Sequence, residues 1–447
     1  MDEKKIILKH AGTVLAGQLA VVAFGVTDTI IAGQYSPHAL AVLSVSSAVY
    51  ITMYVSLLGV IQALLPMFAE MHGAQKHEKI GELLRQSIYV WLALSVLGAL
   101  ALLSPYLILQ WTQVPIEVQG DVKAYLAILA AALPAALFFR LYSSLNQSIG
   151  KPRLVTWIQI AALGAKIPLS ILFTFGAGPL QGMGILGCAL ATVLVSYAMC
   201  ALALWLLLTK ALYEPLAIWQ PMSKPQWSTL AQMARLGIPN GLSVLVEVTS
   251  FTLMALFIAR LGTVATASHQ IAANMTALLY MVPLSFSIAI SARVSYWIGA
   301  KQVAEMRKVL RIGFEFIALE ALFFALILLT LSSPISALYA RDVAVAQSAA
   351  ELLMIVGLYH VGDAIQTLCF FVLRSFKVTL LPFLVYGSML WGVGLTGGYL
   401  LAYHGLANLK AMQSPAAFWM MSVVALLLVC VGLIGLIRRE LSRRFAS

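Results

Sequence analysis

The sequence predicts an all-α integral membrane protein with twelve transmembrane helices in two pseudo-symmetric six-helix bundles. Three observations carry that prediction. First, the 447 residues are 61% hydrophobic and only 10% charged, whereas soluble domains carry about 25% charged residues; the mean hydropathy is +0.93. Second, apolar runs long enough to cross a bilayer as helices, roughly 20 residues each, recur along the whole chain. Third, the first half repeats weakly in the second. A shift of 226 positions lays Tyr54 on Tyr280, "HGAQK" (72–76) on "IGAKQ" (298–302), Arg85 on Arg311 and Lys151 on Lys377.

In chain order, the spans fall at 12–33, 43–68, 87–110, 122–144, 154–175, 185–209, 237–259, 267–292, 312–333, 348–372, 378–401 and 415–437. The first follows "MDEKKIILKH" and is read as a retained span, because a cleaved signal peptide has a shorter core and a small-residue cleavage site. The four cysteines, Cys188, Cys200, Cys369 and Cys430, lie in apolar runs without metal-ligand spacing, and read as packing residues.

Basic residues then fix the orientation. With the N-terminus in the cytoplasm, 22 of the 28 Lys and Arg fall in cytoplasmic segments, and only Lys123, Arg260, Arg341 and Lys410 fall on the other side. Arg140 and Lys166 lie within spans. An even number of spans places both termini in the cytoplasm. The net charge of +11 does not signal nucleic acid, since the basic residues are dispersed between spans rather than gathered on one face.

The longest polar connection contains "YEPLAIWQPMSKPQW" and divides the chain. Residues 1–209 form an N-terminal six-helix bundle, 210–236 a linker, and 237–447 a C-terminal six-helix bundle. Six spans per half is even, so the halves run in the same sense, as parallel repeats of transporters do. This arrangement predicts cargo near mid-membrane and alternating access, with the protein acting as a monomer among membrane lipids.

Ionisable residues inside spans carry the functional reading, because each costs at least about 2.5–3.5 kcal/mol at a helix centre. Glu247, in "LSVLVEVTSF", and Asp363, in "GLYHVGDAIQ", lie near mid-depth; Asp28, in "GVTDTIIAG", lies in the outer third of the first span. Phe251 follows Glu247 by one helical turn and Tyr359 precedes Asp363 by one, so each acid shares a helix face with an aromatic ring. Gln366 and Thr367 add polar atoms near Asp363. Hard cations favour oxygen ligands, so Glu247, Asp363 and Tyr359 are expected to form an Na+ site, or equally a proton site. Asp28, Glu247, Phe251, Asp363, Gln34 and Tyr50 are the expected substrate contacts, and a π-face suits an organic cation. Lys166 is read as structural, either snorkelling to the interface or pairing with an acid. Asp342 is read as solvated, and Glu320 receives no role.

These stretches resemble the multidrug and toxic compound extrusion (MATE) family, in particular its NorM-like bacterial subgroup. The resemblance rests on "GVTDTIIAG", "GIPNGLSVLVEVTSF", "YMVPLSFSIAISARVSYWIGA" and "DAIQTLCFFVLRSFKVT", and on the pattern of Pro283, Ser291, Arg293, Val294, Gly299 and Ala300. It implies twelve helices in two bundles and export of organic cations driven by inward Na+ or H+, without a cofactor. It further implies a coupling set of Glu247, Asp363, Tyr359 and Asp28, with Phe251 near the cation.

Two other readings compete. A flippase of the related superfamily moving lipid-linked substrates would line its cavity with Arg and Lys for phosphate, whereas acids predominate here; export of an endogenous metabolite is a related alternative. An enzyme is not expected. An intramembrane aspartyl protease would carry Gly-x-Gly-Asp, and His360 stands where the first glycine would be; no Gly-x-Ser-x-Gly occurs either.

Overall fold

The computed structural model describes residues 2–105, 116–406 and 408–445. Twelve helices in it are long and apolar enough to cross a membrane: α1 (Glu3–Tyr35), α2 (Pro37–Gly73), α3 (His77–Leu103), α4 (Glu117–Ser148), α5 (Pro152–Phe175), α6 (Ile185–Thr209), α7 (Trp227–Ala259), α8 (Thr263–Gly299), α9 (Val303–Tyr339), α10 (Val343–Ser375), α11 (Leu380–Tyr403) and α12 (Ala416–Arg444). Each corresponds to one predicted span. Several begin two or three turns earlier than hydropathy alone places them. Glu, Lys and Arg are good helix formers, so segments such as "HEKIGELLRQ" of α3 continue the helix past the apolar run. The end of the third predicted span, 106–110, lies outside the described residues.

Local chemistry sets the breaks. Ser36 caps α2 by accepting from the Ala39 amide at 3.0 Å, and Pro37 follows at the first helical position. Asp342 caps α10 in the same way through the Val345 amide at 3.1 Å, so this exposed acid has a structural task. In α9 the helix bends at Leu331, whose φ of −115° and ψ of 17° are non-helical, three residues before Pro334. A π-helical segment, Met389–Thr396, interrupts α11 in a glycine-rich stretch. A two-stranded hairpin, Gly176–Ala177 with Leu180–Gln181, joins α5 to α6.

The chain forms two compact units. One comprises residues 12–241, the other residues 1–11 together with 242–447. In the N-terminal unit α4 is the hub, packed by α2, α3 and α6. In the C-terminal unit α10 is the hub, packed by α8, α9 and α12. The two hubs correspond under the sequence repeat. The boundaries differ from the sequence division at two places. Residues 1–11 pack with the C-terminal unit: Ile7 and Ala11 enter its core, and the buried Glu3 carboxylate receives the Arg293 guanidinium through Nε and Nη2. The segment after α6 belongs to the N-terminal unit. There Arg85 donates to the Ala217 carbonyl at 2.6 Å, Gln86 to Ser223 at 2.8 Å, and Tyr89 to the Ser223 carbonyl at 3.0 Å.

The outer faces are apolar. On α9, Leu319 and Leu322 are each 65% exposed, an arrangement that suits lipid rather than water.

Candidate functional site

The C-terminal unit gathers its acids. Asp363, on the hub helix α10, is 2% exposed, and Glu247, on α7, is half-buried; the two carboxyls lie close enough to interact through charge. Three phenols lie within electrostatic reach of them. Tyr280 from α8, Tyr359 from α10 and Tyr386 from α11 each interact electrostatically with both carboxyls, and Tyr386 hydrogen-bonds to Glu247. Gln366 donates from Nε2 to Asp363 Oδ1 at 3.2 Å. Thr367 turns along its own helix and donates to the Asp363 backbone carbonyl at 2.7 Å.

An aromatic wall stands beside this cluster. Phe251, Tyr359 and Trp419 pack edge to face, with centroid separations of 6.2, 6.0 and 5.4 Å. The buried Trp419 indole donates to His269 Nδ1 at 3.3 Å. The structure therefore brings Glu247, Asp363, Tyr359 and Phe251 together, as the sequence reading expects. It adds Tyr280, Tyr386 and Trp419. Tyr280 carried a signal in the sequence, because the repeat lays it on Tyr54; Tyr386 and Trp419 carried none, among 16 Tyr and 9 Trp.

Glu320 acquires a partner. Its Oε1 lies 2.9 Å from His360 Nε2, with both side chains buried, and its Oε2 is buried without a hydrogen-bond partner among the described residues. His360 sits one turn before Asp363 and interacts with it through charge. Arg374, further along α10, lies over the Phe371 ring at 4.2 Å.

This arrangement can hold a positive charge. Two carboxyls close together in a low-dielectric interior call for a proton or a cation between them, and carboxyl and phenol oxygens suit a hard monovalent ion. No group of three or more His, Cys, Asp and Glu among the described residues is placed to hold a metal, so such an ion would draw on phenol oxygens as well.

The N-terminal unit is built differently. Asp28 Oδ1 on α1 meets Lys166 Nζ on α5 at 2.8 Å. Lys166 also donates to the Cys188 carbonyl at 3.1 Å and to Thr192 Oγ1 at 2.6 Å, and Ser170 donates to Asp28 Oδ1 at 3.4 Å. Of the two readings of Lys166, pairing with an acid is the one realised, at full burial. Asp28 is thus not an uncommitted carboxylate. Tyr125 interacts electrostatically with both Asp28 and Tyr50. Tyr50 stacks on Tyr54 at 5.6 Å, and Arg140 donates from Nε to the Tyr54 hydroxyl at 2.9 Å. Gln34 is exposed near the end of α1. Asp28, Gln34 and Tyr50 belong to this unit; Glu247, Phe251, Tyr359 and Asp363 belong to the other.

A cavity of about 230 Å³ in the N-terminal unit is lined by Phe138, Leu204, Ile218 and Trp219, with Arg85 among its walls. Its lining includes Tyr142 and Gln220 but no carboxylate, and the Arg85 guanidinium disfavours a cation there.

Comparison with known proteins bears on the whole chain. The MatE family model matches residues 14–172 and 239–400. A protein described as a probable multidrug resistance protein NorM, from Aromatoleum aromaticum, is 37% identical over 98% of this chain and 94% of its own. One of the same description from Neisseria meningitidis serogroup B is 30% identical over 97% and 94%. Among solved structures, the Vibrio cholerae MATE transporter VcmN in its bent form superimposes with a TM-score of 0.85 at 19% identity, over 98% of each chain.

Proposed function

The chain belongs to the MatE family, and from that premise we propose that it is a cation-coupled antiporter exporting organic cations and drugs by alternating access. It is a multi-pass membrane transporter and not an enzyme. The observation that carries the coupling assignment is the pair Glu247 and Asp363 within electrostatic reach of three phenols. Two acids that have no lysine or arginine ion-pair partner among the described residues give the inward ion, Na+ or H+, and the outward cation a common electrostatic sink. Occupation by one disfavours the other, and that exclusion is what an exchanger needs. The aromatic wall of Phe251, Tyr359 and Trp419 supplies π-faces to a delocalised organic cation. The N-terminal contributions of Asp28, Gln34 and Tyr50 are assigned to cargo, with Asp28 answering to Lys166 first.

The test uses the full chain in proteoliposomes loaded with ethidium. Efflux is followed under an inward Na+ gradient alone and then under a pH gradient alone, and the gradient that drives it identifies the coupling ion. Glu247→Gln and Asp363→Asn are expected to lose at least 90% of gradient-driven efflux while inserting normally, about the tenfold that 1.4 kcal/mol represents. Wild-type turnover in both variants would reject the assignment.

A further inference from the structure

The Asp28 pocket is an oxygen cage, and it is already filled. A lysine ammonium has three protons to donate. Here all three have acceptors: Asp28 Oδ1 at 2.8 Å, the Cys188 carbonyl at 3.1 Å and Thr192 Oγ1 at 2.6 Å. The cage is made by α1, α5 and α6, and Lys166 is 0% exposed. Access is unequal. The Asp28 side chain keeps 12% of its surface open while that of Lys166 keeps 1%. A cation entering this unit therefore meets the carboxylate before it meets the ammonium.

We infer that Lys166 is a tethered competitor: its ammonium occupies the cation seat at Asp28, and cationic cargo binds there only by displacing it. The exchange leaves both partners hydrogen-bonded, at the cost of an ammonium without its counter-charge, and that cost is the threshold cargo must overcome. When a cargo cation takes Asp28, the ammonium retains the Cys188 carbonyl and the Thr192 hydroxyl, and Asp28 retains the Ser170 hydroxyl. The resting pair is electrically neutral, which suits a membrane-embedded interior better than an isolated carboxylate. Lys166 is thus a specificity-determining residue. It sets a threshold that favours primary ammonium and other strongly hydrogen-bonding cations over diffuse ones, since only the former replace what the lysine gives Asp28. This inference rests on the cation-cargo reading above.

The experiment has two arms on the detergent-purified full chain. In the first, ethidium binding is titrated by fluorescence. Lys166→Gln, which keeps hydrogen bonds to the cage without the charge, is expected to tighten binding tenfold or more, and the gain should vanish in the double variant with Asp28→Asn. Unchanged or weaker binding in Lys166→Gln would overturn the inference. In the second arm, n-butylammonium chloride is added to Lys166→Ala and the melting temperature is followed. The amine should refill the emptied seat and stabilise that variant by several degrees, with a clearly smaller shift in the wild type, where it must displace the lysine, and none in Lys166→Ala combined with Asp28→Asn. Equal shifts in all three, or none in any, would equally refute it. Failure of both the wild type and Lys166→Gln to bind ethidium would count against the cation-cargo reading, while the second arm, which needs no drug, still decides the role of the lysine.

Discussion

At the scale of single residues, charge in an apolar context was the most legible signal. Glu247 and Asp363 stood out because each is expensive where it lies, and the structure brings them close enough to interact through charge. What charge alone left unreadable was the partner. Asp28 and Lys166 lie on helices far apart in sequence, and nothing local ties one to the other; only the packing of α1 against α5 and α6 makes the pair. The same holds for Glu3. It was one charge in a basic N-terminal segment, yet it is 4% exposed, and its carboxylate receives Arg293 and the Trp297 indole at 3.2 Å. Arg293 in turn lies over the Tyr296 and Trp297 rings at 4.8 and 5.2 Å. The arginine of the "SARVSYWIGA" pattern thereby acquires a structural task, anchoring the start of α1. Glu3→Gln removes the charge-assisted bonds and leaves Arg293 with an amide. A loss of about 1–3 kcal/mol is expected, read as a lower thermal midpoint of the purified protein. A midpoint indistinguishable from wild type would show that the anchor contributes nothing.

At the scale of elements, the spans were readable because a helix that faces lipid must be continuously apolar, and the turns between them must not be. The connection after α6 was read as a linker for its length and polarity, and polarity does not report attachment. It is strapped along α3. Arg85 and Gln86 bind its carbonyls and side chains, and Tyr213 donates to Asn146 Oδ1 at 2.8 Å from within it. Symmetry fails here for a physical reason: Arg311, the repeat mate of Arg85, has no such strap and pairs with Glu315 at 3.0 Å on the surface. Gly81 makes the strap possible. A side chain at this position would collide with the Leu216 carbonyl and with Ala217, which itself has a left-handed φ of 48°. Gly81→Ala is expected to lift the segment and cost about 1–3 kcal/mol, the usual range for overpacking. Trypsin should then cut after the exposed Lys210 several-fold faster than in the wild type. Equal cleavage rates would mean the strap does not depend on that close approach.

At the scale of the whole molecule, the repeat was legible through a handful of coincidences, and the structure gives them a basis in the matching hubs α4 and α10. The interiors built on those hubs have diverged in charge. The N-terminal unit sets Lys166 against Asp28 and adds Arg140, whereas the C-terminal unit holds Glu247, Asp363 and Glu320, with His360 beside Glu320 and Asp363. A carrier of cations with this division would load its driving ion where acids are in excess. Which end of the molecule faces the cytoplasm is a matter of orientation, which the distribution of Lys and Arg predicts: 22 of 28 on the cytoplasmic side. Two exposed positions on opposite sides of that prediction test it, Gln302 between α8 and α9 and Lys410 between α11 and α12. Three of the native cysteines are buried and Cys200 is partly so, which keeps the labelling background low. A membrane-impermeant maleimide applied to intact cells should label Lys410→Cys at once, and Gln302→Cys only after the membrane is opened. The reverse pattern would overturn the orientation drawn from the basic residues; the direction of exchange would not change with it, because an antiporter takes its direction from the side on which the driving ion is abundant.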